Sequence, residues 1–146
     1  MRKIKFRAWD KEKKKMSKKD FFPDSIDGKF IGKNQWKLDK KFRYKSKLLG
    51  LITVPPGFVS DGASIPSILW SVVGSPWSGD YPEAALVHDF LYFKQAHKRA
   101  HADRVFIEAM KVLGVNWFKR RLMYSAVRSF GWLPWNKQKK KNSKKN

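Results

Sequence analysis

The sequence contains no cysteine, which excludes disulfide bonds and thiolate metal sites and fits a reducing cytoplasm. It also lacks any run of about 18 apolar residues, so no segment is expected to cross a membrane as a helix. The amino terminus has no apolar core of the kind that export signals carry. We find no internal repeat. The protein is therefore expected to leave a cell only through lysis or in a virion.

Acidic residues are scarce. Twelve Asp and Glu stand against 33 Lys and Arg, which gives a net charge of +21. Such a charge predicts a polyanionic partner, either nucleic acid or an anionic phospholipid surface. Lysine is concentrated in residues 11–19 and 137–145, where apolar periodicity is missing. Trp132 and Trp135 stand just before the second range, a composition typical of segments that bind at membrane surfaces.

The length of 146 residues, with 42% hydrophobic content, indicates one domain with a modest core. We divide the chain into a basic N-terminal segment over 1–25, a single α+β domain over 26–132 and a lysine-rich, mobile tail over 133–146. Apolar and polar residues alternate between positions 30 and 54, which predicts a small antiparallel sheet. Pro55-Pro56-Gly57 ends it in a turn.

Helical periodicity dominates the second half. Pro82 and Glu83 suit the first turn of a helix, and a second helix is predicted from about 100 to 113, with Gly114 as its stop. The short basic turn between them requires antiparallel packing. A third long helix is predicted over 117–130. The sequence thus predicts an α+β fold, in which a small antiparallel sheet is followed by an antiparallel helical hairpin and a further C-terminal helix.

The most informative residues lie on the predicted hairpin. V-H-D-F-L-Y (87–92) is followed by A-D-R-V-F-I-E-A-M (102–110). In an antiparallel pair, His88 and Asp103 stand at similar height, and Tyr92 lies one turn from His88 on the same face. An imidazole held by a carboxylate through one nitrogen can take a proton from water through the other. We predict His88 within about 3.5 Å of Asp103, with Tyr92 adjacent.

Two more carboxylates are candidate metal ligands. Asp89 points about 100° away from His88 around the helix, where it could hold a hard divalent cation. Asp61 lies in S-D-G-A-S (60–64), whose short polar residues and glycine also form turns and caps. Structural alternatives stay open: Asp89 could compensate nearby basic residues, and His88 with Asp103 could be a buried pair that only fixes helix register.

The pattern H-D-x-x-Y followed by A-D-x-x-F resembles the phospholipase A2 core, particularly its cysteine-free viral capsid and bacterial versions. The resemblance covers about residues 84–110. It implies that His88 is the general base, that Asp103 orients it, that Tyr92 donates to Asp103 and that Asp89 binds calcium. The gap between the two Asp residues is shorter than in those enzymes, and the sequence lacks their Y-G-x-G calcium loop.

A longer resemblance joins I-T-V-P-P-G-F-V-S-D-G-A-S-I-P (52–66) to the two hairpin segments. Over roughly 36–131 the chain resembles an uncharacterised family of tailed-phage proteins, domain of unknown function 1353. The opening M-R-K-I-K-F-R-A-W-D-K-E-K-K-K-M (1–16) is similar to that of YopX-type phage proteins. Both resemblances imply a phage or prophage product, located in the host bacterial cytoplasm or in the virion.

From these observations we expect a phage-encoded, phospholipase A2-like lipid ester hydrolase that acts at an anionic membrane with calcium as cofactor. One alternative is a non-enzymatic basic phage accessory or virion protein that binds nucleic acid. Another is a metal-dependent nuclease, which would use the candidate residues Asp61, His88, Asp89 and Asp103. The net charge fits all three.

Overall fold

The computed structural model describes residues 16–32, 34–62, 65–77 and 79–145. The opening that resembles YopX-type proteins, together with most of the expected N-terminal segment over 1–25, lies outside the described residues. Within the described ranges, no helix combines the length and apolar character needed to cross a membrane.

The described part of the N-terminal half contains five short strands, arranged in two antiparallel sheets. The strands are β1 (Gly28–Gly32), β2 (Gln35–Leu38), β3 (Phe42–Ser46), β4 (Gly50–Val54) and β5 (Val59–Ser60). The first sheet has the order β1-β2-β5, and β3 and β4 form a separate hairpin. Phe42 pairs with Val54 and Tyr44 with Ile52, so that one face of this hairpin is buried. The antiparallel pairing was predicted, but its division into two sheets was not.

Among the described residues, six α-helices follow or flank these strands. They are α1 (Lys18–Phe21), α2 (Trp70–Val73), α3 (Pro82–Lys94), α4 (Arg99–Val112), α5 (Trp117–Phe130) and α6 (Trp132–Ser143), with a 3₁₀ turn over Ser67–Leu69. The predicted α+β fold is confirmed, and α3 begins at the proline that predicted its start. Gln95, in the left-handed conformation at φ 52°, ends α3 and lets the chain reverse into α4.

Residues 133–143 of the range that we expected to be a mobile lysine-rich tail lie in α6. The Trp135 ring packs edge-to-face on Tyr92 at 5.1 Å between centroids. Gln95 Nε2 donates to the Trp135 carbonyl at 2.7 Å, and Asn142 Nδ2 donates to the Phe93 carbonyl at 3.1 Å. Tertiary contacts therefore stabilise a helix that its lysine-rich composition does not predict.

Helix α3 occupies the centre of the molecule. Every residue from Ala84 to Tyr92 is buried, including the polar side chains of His88 and Asp89. The hairpin of β3 and β4 is tied to α4 by Tyr44, whose hydroxyl donates to Glu108 Oε1 at 2.7 Å. A buried polar group without a hydrogen-bond partner destabilises the folded state. The elements that pack against α3 must therefore supply partners for His88 and Asp89.

Gly131 is the single residue between α5 and α6. A Cβ atom at this position would collide with the Tyr92 hydroxyl and the Val127 carbonyl, and would lie 3.2 Å from Arg99 Nη1. The absence of a side chain therefore allows both helices to close over the end of α3.

We expect Gly131→Ala to lower the free energy of unfolding by about 1–3 kcal/mol, because the added methyl group overpacks a buried contact. Urea denaturation measures this change. Gly32→Ala is the matched control, since its Cβ would find its nearest neighbour, Gln35 Oε1, at 3.6 Å. Equal stability of the two variants would contradict the steric role of Gly131.

Candidate active site

The predicted contact between the two hairpin helices is confirmed. His88 Nε2 lies 2.9 Å from Asp103 Oδ1, and the Tyr92 hydroxyl donates to the same oxygen at 2.7 Å. His88 and Asp103 are fully buried, and Tyr92 is 4% exposed. The His88 ring also stacks on Phe106 of α4 at 4.6 Å between centroids. These contacts follow from the antiparallel packing of α3 and α4, which the short turn imposes.

The second oxygen of Asp103, Oδ2, accepts hydrogen bonds from two arginines. Arg128 Nη1 of α5 donates at 2.8 Å, and Arg99 Nη1, one turn before Asp103 on α4, donates at 3.2 Å. Arg99 also donates to the Val127 carbonyl at 3.0 Å. The sequence analysis missed both arginines. The i, i+4 spacing of Arg99 and Asp103 was a readable signal, whereas the contact from Arg128 depends on how α5 packs.

Asp103 is the charged centre of this cluster. Burial alone would raise the pKa of Asp103, but hydrogen bonds from His88, Tyr92 and Arg128 outweigh burial and hold the pKa below its usual value. Asp103 is therefore ionised at neutral pH. A fixed carboxylate beside an imidazole selects the tautomer that carries its proton on the facing nitrogen, here Nε2.

Asp89 faces a different neighbour from His88, as its position on the helix predicted. Its Oδ2 accepts hydrogen bonds from the Ser60 hydroxyl and, at 3.0 Å, from the Gly62 N–H. Burial raises the pKa of Asp89 to about 6; the negative charge of Asp61 adds to this, and the Ser60 hydrogen bond opposes it. The sequence analysis did not single out Ser60, although it stands next to Asp61.

A cleft of about 340 Å³ opens beside Asp89. We call the lining residues Ser60, Asp61 and Asp89 the floor of the cleft; its apolar lining residues are Phe58, Val59, Tyr92, Phe93 and Pro134. The lining also contains polar residues from α6 and the residues after it: Lys137, Gln138, Lys141 and Lys145. Tyr92 belongs both to the cleft and to the cluster around Asp103, whereas His88 and Asp103 lie behind the cleft surface.

The candidate metal ligands Asp61 and Asp89 meet in this cleft, where their like charges interact. In the part of the chain that the structure describes, no three or more His, Cys, Asp or Glu side chains gather into a metal-binding group. A cation bound by these two carboxylates would therefore need backbone carbonyls and waters as further ligands, which calcium accepts.

Comparisons with known proteins agree with the order of motifs along the chain. Residues 36–127 match the model of a family described as protein of unknown function (DUF1353), and the chain belongs to this family. Two relatives come from Sinorhizobium fredii (strain NBRC 101917 / NGR234): uncharacterized protein y4jT, 37% identical over 78 residues, and uncharacterized protein y4iH, 39% identical over 72 residues. The matches cover 53% and 49% of this chain, but only 23% and 30% of the relatives. No solved structure matches the chain.

We expect Asp103→Asn to lower the free energy of unfolding by about 3 kcal/mol, because it leaves two guanidinium groups without their buried countercharge. This value is at the lower end of the loss expected when one partner of a buried ion pair is removed, because both arginines keep partial contact with water. Thermal and urea unfolding measure the effect. Asp39→Asn is the control, because Asp39 is exposed and lies 3.8 Å from Lys29. Similar losses in both variants would contradict a central role for Asp103.

A second prediction concerns pH. The pKa of Asp89 in the folded protein, about 6, lies above its ordinary value of 3.8, so protonated Asp89 favours folding. This stabilisation is complete below the unfolded-state pKa and is lost as pH rises through about 6. The stability of Asp89→Asn relative to the wild type should therefore increase between pH 4 and pH 6.5, by urea denaturation. A stability difference between Asp89→Asn and the wild type that does not change with pH would contradict the raised pKa of Asp89.

Proposed function

We propose that this protein hydrolyses ester bonds of anionic phospholipids at a membrane surface. His88 would be the general base, Asp103 and Tyr92 the residues that position it, and Asp61 with Asp89 the ligands of a calcium ion. The observation that carries this proposal is the convergence of His88 Nε2 and the Tyr92 hydroxyl on one oxygen of Asp103, at 2.9 Å and 2.7 Å.

The proton transfer follows from this geometry. In the proposed reaction Nε2 of His88 stays with Asp103, and Nδ1 would exchange a proton with the reacting water. The ionised carboxylate stabilises the imidazolium that forms, and the Tyr92 hydroxyl keeps that carboxylate in place. Asp103 and Tyr92 are thus positioning residues, since neither meets the reacting atoms.

The burial of His88 sets a requirement for this chemistry. Water and substrate must approach from the cleft, where Tyr92 and Asp89 flank His88 along α3. A local opening between α3 and the segment that contains Ser60 and Asp61 is therefore part of the proposed reaction. The same burial favours the structural alternative, in which the cluster only joins the helices, and the experiment below separates the two.

The carboxylates of Asp61 and Asp89 fit a calcium ion. Their mutual repulsion contributes to the raised pKa of Asp89, and a divalent cation would relieve it. Carboxylate oxygens are also the donors that calcium prefers. When bound, the ion would polarise the ester carbonyl. The Ser60 hydroxyl and the Gly62 N–H hold Oδ2 of Asp89 in position at the cleft floor.

A membrane-facing surface is supported by exposed apolar residues around the junction of α5 and α6. Phe130, Trp132 and Leu133 are 54%, 51% and 54% exposed, and the lysines of α6 follow directly. Aromatic and aliphatic side chains beside lysines suit the interface of an anionic bilayer. Of the two tryptophans considered from sequence, Trp132 is available for this contact, whereas Trp135 packs on Tyr92.

We also propose that the protein is a phage or prophage product that acts in the host bacterial cytoplasm or from the virion. The resemblances described for the sequence support this origin. Under this proposal, anionic lipids of a bacterial membrane are the natural surface for the reaction.

Nucleic-acid binding is the second candidate function, and the lysine density of α6 favours it. A nuclease that uses Asp61, His88, Asp89 and Asp103 around one metal has less support. Asp103 is engaged by two arginines behind the cleft, and the described residues do not bring these four side chains into a shared metal-binding group.

We expect His88→Ala to reduce ester hydrolysis on phosphatidylglycerol vesicles with calcium by about two to four powers of ten, because it removes the general base. Fatty acid release, normalised to the folded fraction from circular dichroism, measures the effect. His97→Ala is the control, since His97 is exposed in the turn between α3 and α4.

Equal turnover by wild type and His88→Ala would reject the proposal, as would no turnover by the wild type. Loss of thermal stability in His88→Ala without any activity to lose would assign the cluster a structural role.

A further inference from the structure

We propose that one side of the α6 segment selects the substrate. Lys137, Lys141 and Lys145 form a lysine row that binds the phosphate of an anionic amphiphile inside the cleft. This inference rests on the proposed function, because it names the lipid class of the same site. It assigns the row to headgroup recognition, separately from the general attraction of a basic protein to anionic surfaces.

The row follows from helix geometry. Spacings of four residues bring Lys137, Lys141 and Lys145 onto one side of the helix and the turn that continues it. The rotation of α6 is fixed by a different side, where Trp135 packs on Tyr92 and Asn142 donates to the Phe93 carbonyl. Both contacts bind α6 to the end of α3. The lysine row consequently lines the cleft, together with Gln138.

Part of the cleft lining is apolar. Phe58 packs edge-to-face on Phe90 and Phe93, at 5.4 Å and 5.6 Å between centroids. Phe93 remains 41% exposed and Val59 39% exposed, so that apolar surface stays accessible in the cleft. A volume of about 340 Å³ lies within the usual range for small-molecule sites. The cleft therefore combines cationic and apolar lining residues with an acidic floor.

These three chemistries fit one type of ligand. A phosphate group gains from the lysine row and is kept from the carboxylates of Asp61 and Asp89, while an attached acyl chain gains from the apolar lining residues. Within the described part of the chain, none of the three ammonium groups of the lysine row pairs with a carboxylate. By contrast, Lys119 Nζ lies 2.6 Å from Asp80 Oδ1. A ligand with only a phosphate group would contact only the lysine row, and a ligand with only an acyl chain would contact only the apolar residues of the cleft.

The test measures binding without turnover. Short-chain diether phosphatidylglycerol and diether phosphatidylcholine contain no ester to hydrolyse, and both are titrated as monomers by isothermal titration calorimetry into the full chain. Lys141→Gln with Lys145→Gln removes two charges from the row. Lys139→Gln with Lys140→Gln is the matched control, because it removes the same charge from α6 at positions that do not line the cleft.

We expect the row variant to lose about tenfold in affinity for the phosphatidylglycerol analogue, since charge-assisted contacts to phosphate are lost. The control variant should bind like the wild type, within about twofold. The wild type should prefer the anionic analogue over the zwitterionic one, and the row variant should not. Circular dichroism verifies that both variants keep their helix content.

Other outcomes would overturn the proposal. Equal losses of affinity in both variants would mean that the lysines attract the ligand only through the overall positive charge. Absence of binding by the wild type would mean that the cleft holds no such ligand. Equal affinity for glycerol phosphate would identify a free phosphate ester as ligand. Stronger row-dependent binding of a short DNA duplex would identify a nucleic acid. Selective binding without vesicle hydrolysis would reject the proposed function and leave the headgroup site standing.

Discussion

The carboxylate of Asp103 is the interaction on which the helical half of the protein depends. It accepts hydrogen bonds from His88 and Tyr92 of α3, from Arg99 of its own helix and from Arg128 of α5. A charged group is stable in a core only when partners replace its hydration. The helices that supply these partners are therefore held in one register, and sliding of α3 along α4 would take the donors of His88 and Tyr92 away from Oδ1 of Asp103.

The two oxygens of Asp103 have different neighbours. Oδ1 meets His88 Nε2 and the Tyr92 hydroxyl inside the core, and Oδ2 meets two guanidinium groups that keep contact with water. This division places the positive countercharge at the periphery and leaves the imidazole beside an ionised carboxylate. The arrangement is compatible with a base that must accept a proton, and also with a pair that only stabilises the fold. Activity measurements on His88 variants distinguish the two roles.

The parts of the site that could be predicted from sequence depend on local geometry. The spacing of His88 and Tyr92, with a short turn before Asp103, fixes their meeting once the segments are helical. The contact of Ser60 with Asp89 could not be predicted in this way, because it joins a two-residue strand to a helix 29 positions away. Such contacts depend on loop paths, which local periodicity does not encode.

The helix α6 shows a second limit of sequence patterns. Its composition is lysine-rich, and its stability comes from Trp135 and from hydrogen bonds to the end of α3, which a periodicity argument does not detect. Likewise, alternation between positions 30 and 54 predicted antiparallel strands but not how they divide between two sheets. The alternating pattern is the same in both arrangements, since each leaves one face of a strand buried.

The close approach at Gly131 has a further consequence for the cleft. Because Tyr92 and Val127 leave no space for a side chain there, α6 starts directly beside α3, where Trp135 and Asn142 hold it. The backbone that carries the lysines of the cleft is thus ordered when the protein folds, and binding a ligand need only order the side-chain termini. Recognition by a preorganised surface loses less conformational entropy than recognition by a flexible basic tail, so fewer charges suffice for selectivity.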